Sequence, residues 1–281
     1  MENSNDNIEK VYNAIKTISN YFDENNVSIL IKNTNEQIHK YCHYNRTSDS
    51  NKCLDYFEMT SSGVIYLLEN LKKYGLDDDK LADYAILWLS YKLKLKENNT
   101  VKKLSDFYNS YIGKNNDYNN KINGNDGPTY KEIIDKKKNL MDMNISEIFK
   151  LEAPFNILYY LYHEIYDGDP DCDTNSNYAK QFADQFKELN EDSNNKEKSS
   201  FSQILSTLSD DYKNLKKKCT KFPPLLDLNP QKISVEKSRK DGEQIPLQPP
   251  EGTSSSSSIL NTVIPVLSAF AIPVFLGVAY K

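Results

Sequence analysis

Arginine is nearly missing from this chain: of 35 basic residues, only Arg46 and Arg239 are arginines. Histidine stops at three, tryptophan at one and glycine at 9 in 281 residues. Three histidines leave little material for a hydrolytic triad, and the patterns GxSxG, GxxxxGK[ST] and GxGxxG do not occur. His163-Glu164 lacks the second histidine of a HExxH site. The residues therefore propose no catalytic site, no cofactor and no small-molecule substrate. Few glycines, and no run of alternating polarity with hairpin turns, argue against a sheet-rich fold. A net charge of −5 does not supply the basic face that phosphate contacts need, so no nucleic-acid partner is expected. The N-terminus, MENSNDNIEK, has no apolar segment of the kind an ordinary cleaved signal peptide carries.

What is present points to a folded body with unfolded parts. Hydrophobic residues make up 38% and charged residues 27%, between a globular and a disordered composition, while 11% aromatic is too much for general disorder. The abundance of Lys, Asn and Tyr matches AT-rich codons, so single surface lysines and asparagines carry little weight.

Three regions separate by composition. Residues 1–219 have apolar side chains at helical spacing and read as a helical ectodomain. Residues 220–258 hold six of the 11 prolines and five consecutive serines and read as a flexible stalk, extended where Pro223-Pro224 and Pro249-Pro250 favour polyproline conformations. Residues 259–280, beginning at Ile259 and closing at Tyr280, are 22 residues without a charge, about 33 Å as a helix and enough to cross a bilayer. Pro265 and Pro273 are tolerated in such a setting. The positive-inside rule favours a cytoplasmic C-terminus, since Lys281 follows the segment and Asp241, Glu243 and Glu251 precede it. The sequence stops one residue past the span.

Within the body the strongest helix covers residues 77–96. Aspartates open it and Lys92, Lys94 and Lys96 close it, as the helix dipole prefers. Leu81, Tyr84, Ala85, Trp88 and Leu95 form one apolar track; Ile86, Leu89 and Leu93 form another. A helix apolar on two faces belongs in the centre of a bundle, which makes Trp88 a core residue rather than a binding anchor. A second helix is predicted over 144–166, with Ile145, Ile148, Phe149, Phe155, Leu158, Tyr159 and Tyr162 inward and Pro154 as a kink. Residues 8–22, 61–73, 104–118, 177–189 and 201–218 are amphipathic at the same period. The fold class is all-α, a multi-helix bundle followed by stalk and span.

The four cysteines, Cys42, Cys53, Cys172 and Cys219, suit two disulfides and permit three pairings. The shortest loop favours Cys42 with Cys53, leaving Cys172 with Cys219. His39-x-x-Cys42-His43 has no fourth ligand nearby except Cys53, so no metal is assigned. Asp167, Asp169, Asp171 and Asp173 alternate as in a calcium loop. The template then requires Gly where Cys172 stands and Glu where Tyr178 stands, and an acidic inter-helix loop is the better reading. Asn26, Asn45, Asn98 and Asn144 open N-glycosylation patterns, expected by chance in an Asn-rich chain.

The series Lys40-Tyr41-Cys42, GVIYLL at 63–68, DYAILWLSY at 83–91, LSDFY at 104–108, YAKQF at 178–182, ELNE at 188–191 and LSTLSDDYKNLK at 205–216 resembles the Plasmodium interspersed repeat (PIR) family, with most likeness to members from rodent malaria parasites. The resemblance covers nearly the whole chain. It implies a variant protein of a large multigene family, exported towards the infected erythrocyte or its surface and serving antigenic variation and immune evasion, with a helical Cys-containing ectodomain. The expected partners are the membrane and either a host receptor or antibody. The competing readings are an adhesin and an intracellular membrane-anchored scaffold. Relatives often carry a cysteine near the N-terminus and another at the position of Val64; both are missing here, as is a basic tail beyond Lys281. No catalytic or ligand residues come with the resemblance.

Overall fold

The computed structural model describes residues 4–22, 36–46, 52–122, 124–166 and 171–232, all within the compact unit Met1–Ile233. In chain order the helices are α1 (Ser4–Ser19), α2 (Tyr56–Lys72), α3 (Asp78–Leu95), α4 (Leu104–Phe107), α5 (Tyr130–Asp135), α6 (Ile145–Tyr166), α7 (Ser176–Asn190) and α8 (Ser200–Lys218). Among the described residues there is no β-strand, only isolated bridges such as Tyr44 with Asn115. The predicted span, 259–280, lies outside the described residues, and no helix among those described is long and apolar enough to cross a membrane.

The centre is α3. Asp77 caps it, its carboxylate accepting the Lys80 N–H at 2.8 Å, and Lys92 and Lys94 occupy the last turn. Every residue from 81 to 93 is buried, because α2, α5, α6 and α8 all pack against this helix and no side of it is left for water. Around it, α1 lies on α2, α6 and α8, and α7 lies on α6 and α8.

α6 buries more than one face. Ile148, Phe155, Leu158 and Tyr162 are inside as the period predicts, but so are Leu151, Ile157, Leu161 and Ile165, while Ile145, Phe149 and Tyr159 stay partly exposed. The reason is its position, with α1, α3, α7 and α8 all in contact with it. Pro154 sits inside α6, which continues past it.

Two regions differ from the periodicity. The helix predicted over 104–118 is only the single turn α4, followed by a π-helical turn, Tyr108–Ile112, and a 3₁₀ turn, Asn116–Asn119. The Gly113 N–H reaches back to the Tyr108 carbonyl at 2.7 Å, and Asn115 then accepts the Asp117 N–H with its side chain at 3.0 Å. That local hydrogen bond competes with helix continuation. The segment assigned to the stalk from residue 220 onward is, up to residue 232, packed on the body. Phe222 is buried, the Tyr212 hydroxyl donates to the Pro223 carbonyl at 2.9 Å, and Asn190 Nδ2 donates to the Asp227 carbonyl at 2.9 Å. Gln231 bonds Asn195 and Glu197 through the backbone. Proline here costs no needed donor, since the backbone N–H groups used in these contacts belong to other residues, Asn229 and Gln231.

Gly63 of α2 lies directly against the Trp88 indole of α3. A Cβ at Gly63 would lie 2.4 Å from Cη2 of Trp88, and Trp88 cannot swing aside freely because its Nε1–H donates to the Ser19 hydroxyl at 3.1 Å. Gly63→Ala is expected to destabilise by about 1 to 3 kcal/mol through overpacking, and Trp88→Ala by about 3 to 5 kcal/mol through the cavity it leaves. The double variant should be less unstable than the sum of the two, since the new methyl enters space that the indole vacates. Chemical denaturation followed by circular dichroism measures all three; simple additivity would contradict the contact.

Candidate functional site

The cysteines named by the sequence fall into two places. Cys42 and Cys53 are joined, with Cα atoms 5.2 Å apart, beside the 3₁₀ turn Glu36–His39 and the start of α2. Cys172 and Cys219 are joined with Cα atoms 5.5 Å apart, tying the approach to α7 to the end of α8. The histidines near Cys42 serve different partners. His39 Nδ1 accepts the Cys53 N–H at 3.1 Å, which puts any ring proton on the other nitrogen, and burial lowers its pKa. His43 Nδ1 faces the Asp117 carboxylate at 2.8 Å. Of the acidic loop, residues 167–170 lie outside the described residues. Asp171 accepts from the Thr174 N–H at 2.9 Å, and Asp173 pairs with Lys221 at 2.8 Å. Asn45, Asn98 and Asn144 are exposed; Asn26 lies outside the described residues. Among the described residues no group of His, Cys, Asp and Glu is placed to hold a metal ion.

The most unusual chemistry is inside. Asp211 of α8 is fully buried, and its carboxylate accepts the hydroxyl of Tyr12 from α1 at 2.8 Å and that of Tyr84 from α3 at 2.9 Å. The Tyr162 hydroxyl of α6 donates to the Asp211 backbone carbonyl at 2.8 Å. Tyr12 stacks on Tyr162 with centroids 4.2 Å apart and meets Tyr84 edge-on at 6.3 Å. Burial pushes the Asp211 pKa up to about 7, against the lowering effect of the Tyr12 and Tyr84 hydroxyls and of the Lys80 charge. The same burial raises the tyrosines well above their ordinary value.

A second buried tie joins the same two helices. Asp83 of α3 is 2.7 Å from Lys137 Nζ and accepts the Thr207 hydroxyl of α8 at 2.8 Å. Lys137 also donates to Gln203 Oε1 at 2.8 Å. Burial raises the Asp83 pKa although Lys137 opposes it. On α6, Glu152 is almost sealed, with Lys94 at 2.5 Å, and burial raises its pKa too.

The three carboxylates, of Asp211, Asp83 and Glu152, are buried. Between α1 and α6 there is a small hollow lined by Lys16 and His163, which lie 2.8 Å apart, with Tyr12 at its floor. The carboxylates tie helices to one another. Sequence reasoning did not single out Asp211, although a signal existed: Ile204, Leu208, Asp211 and Leu215 share one stripe of α8, with an acid in an apolar row.

Residues 6–281 match the family described as Plasmodium variant antigen protein Cir/Yir/Bir. The fold is similar to a solved structure titled as a Plasmodium PIR protein ectodomain, at 30% identity and a TM-score of 0.58, covering 82% of this chain and 100% of that one. Comparison with curated proteins gives no match.

The raised Asp211 pKa fixes the sign of a pH effect. An unfolded aspartate releases its proton near pH 4, whereas the folded one holds it up to about 7. Over that window the folded state binds the extra proton, so stability from this group is greatest at low pH and is lost as pH rises through 7. The change is on the order of 4 kcal/mol. Asp211→Asn removes the titration, so the stability of this variant relative to the parent should rise steadily from pH 4 to pH 7. Denaturation midpoints of both across that range would show it; a constant difference would contradict it.

Proposed function

Since the chain belongs to the Plasmodium Cir/Yir/Bir variant antigen family, we propose that it is a non-enzymatic variant surface or exported antigen of the parasite-infected erythrocyte, held at a membrane by residues 259–280. Its work is display. The body supports outward side chains that can change and so serve antigenic variation and immune evasion, with antibody or a host receptor as the partner.

The observation that carries this reading is where the fold keeps its specific contacts. The Asp211 and Asp83 ties are buried, and the two disulfides are covalent. α7 buries Ala179, Phe182, Phe186 and Leu189 and turns Lys180, Asp184, Lys187 and Glu188 to solvent. Such outward positions are mutable at little cost to stability. Paired cysteines also suit an oxidising compartment better than a cytosolic scaffold.

Two measurements test it. On intact infected cells, external protease should cleave the body of a tagged chain; full protection with verified intact membranes would favour the scaffold instead. On alkaline carbonate extraction the complete chain should stay in the membrane pellet and a chain ending at Ser258 should be released, because the 22 uncharged residues supply the lipid-compatible surface. Equal retention of both would overturn the anchor.

A further inference from the structure

We propose that the Cys172–Cys219 disulfide is a site of thiol–disulfide exchange, opened in the native protein by a dithiol reductant while Cys42–Cys53 remains closed. Exchange requires a thiolate to reach one sulfur in line with the bond that breaks, so access decides which disulfide reacts.

The two bonds differ in access. Cys42 and Cys53 are each 1% exposed. Their sulfurs rest on backbone, Cys42 Sγ 3.7 Å from the Glu58 carbonyl and Cys53 Sγ 3.3 Å from the Ile38 carbonyl, so a thiolate has little access to either. Cys172 and Cys219 instead line an open surface hollow. Within it Cys172 is partly exposed, while Cys219 is 1% exposed. Attack therefore falls on Cys172 Sγ.

Charge around the hollow is balanced. Asp171 and Asp173 stand against Lys218 and Lys221, with Asp173 and Lys221 paired at 2.8 Å and Lys218 paired to Glu9. Access sets the selectivity.

In the first step the reductant thiolate bonds to Cys172 Sγ and the Cys172–Cys219 bond breaks, its electron pair leaving on Cys219 as a thiolate that takes a proton from water. In the second step the other thiolate of the reductant attacks its own sulfur in the mixed disulfide. This releases the Cys172 thiolate and leaves the reductant oxidised by two electrons.

The bond spans 47 residues of sequence, and its opening acts on a defined corner. Phe182 and Tyr212 still stack at 4.6 Å, and the Tyr212 hydroxyl still holds the Pro223 carbonyl at 2.9 Å, so α7 and α8 stay together along their length. What loses its tie is the approach to α7 and the junction of α8 with the segment 220–232. Reduction thus loosens this corner of the body without unfolding it.

The test uses the full chain in detergent with dithiothreitol as the dithiol, timed alkylation, peptide mapping and hydrogen exchange. Cys172 and Cys219 should be alkylated at least about tenfold faster than Cys42 and Cys53, a difference set by access. Exchange should rise at 171–176 and 219–222 and not in α3. Joint labelling of all four cysteines, earlier labelling of Cys42 and Cys53, or a matching rise in α3 would each overturn the proposal. Brief treatment with a monothiol should leave its adduct on Cys172; an adduct on Cys219 would overturn the direction of attack. The double variant Cys172→Ser/Cys219→Ser, if folded, should reproduce the exchange pattern of the reduced parent. A folded variant with the pattern of the oxidised parent would overturn the loosened corner, and the labelling of the unaltered chain decides selectivity without it.

Discussion

A carboxylate with no cation at hydrogen-bond distance among the described residues sits where α1, α3, α6 and α8 come together. Asp211 can be there only because two phenols, Tyr12 and Tyr84, donate to it and a third, Tyr162, fixes the backbone beside it. Removing either donor leaves part of a buried acid without its partner, which is costly in a low-dielectric interior. Apolar packing alone tolerates sliding of one helix along another by small steps. This cluster does not, since the hydroxyls must arrive within about 3 Å of the same group. The Asp83–Lys137 pair and Thr207 repeat the constraint at the neighbouring residue of α3 and one turn away on α8. Register in the bundle is thus specified from inside.

An antigen built this way separates two demands. Helix positions that face inward are committed to cavities and hydroxyl ties, as Gly63 is to Trp88. Outward positions on α7 are held only by helix propensity and solubility, both of which many residues satisfy. The disulfides add covalent restraint, one between Cys42 and Cys53 and one from the approach to α7 to the end of α8. The segment 220–232 then closes the body, since Phe222 completes a stack with Tyr212 and Phe182.

Much of this was legible in the residues. Two apolar tracks on one helix placed α3 in the middle and Trp88 inside it, and ordered blocks such as DYAILWLSY and LSTLSDDYKNLK carried the family. Other features were not legible, for identifiable reasons. The turn at Asn115 was hidden because amphipathic spacing continues through it, while the backbone follows a side-chain hydrogen bond that spacing does not encode. Residues 220–232 looked like stalk because proline and serine dominate the average over 220–258; one buried Phe222 and a few backbone contacts decide their place. Lys137 lies in a run of three lysines, and nothing in the run marks the middle one as the partner of Asp83. Asp211 could have been noticed on its apolar stripe, but its partners Tyr12 and Tyr84 are 199 and 127 residues away in sequence.

The central claim is that the body is specified inside and free outside, and one comparison tests it most directly. Replace Lys180, Asp184, Lys187 and Glu188 of α7 together with other polar residues, and separately make the single change Tyr84→Phe, then measure unfolding free energies by chemical denaturation. The fourfold surface change should cost no more than about 1 kcal/mol in total. The loss of one hydroxyl to Asp211 should cost about 2 kcal/mol. A surface set that destabilises more than Tyr84→Phe, or a Tyr84→Phe variant as stable as the parent, would contradict the account.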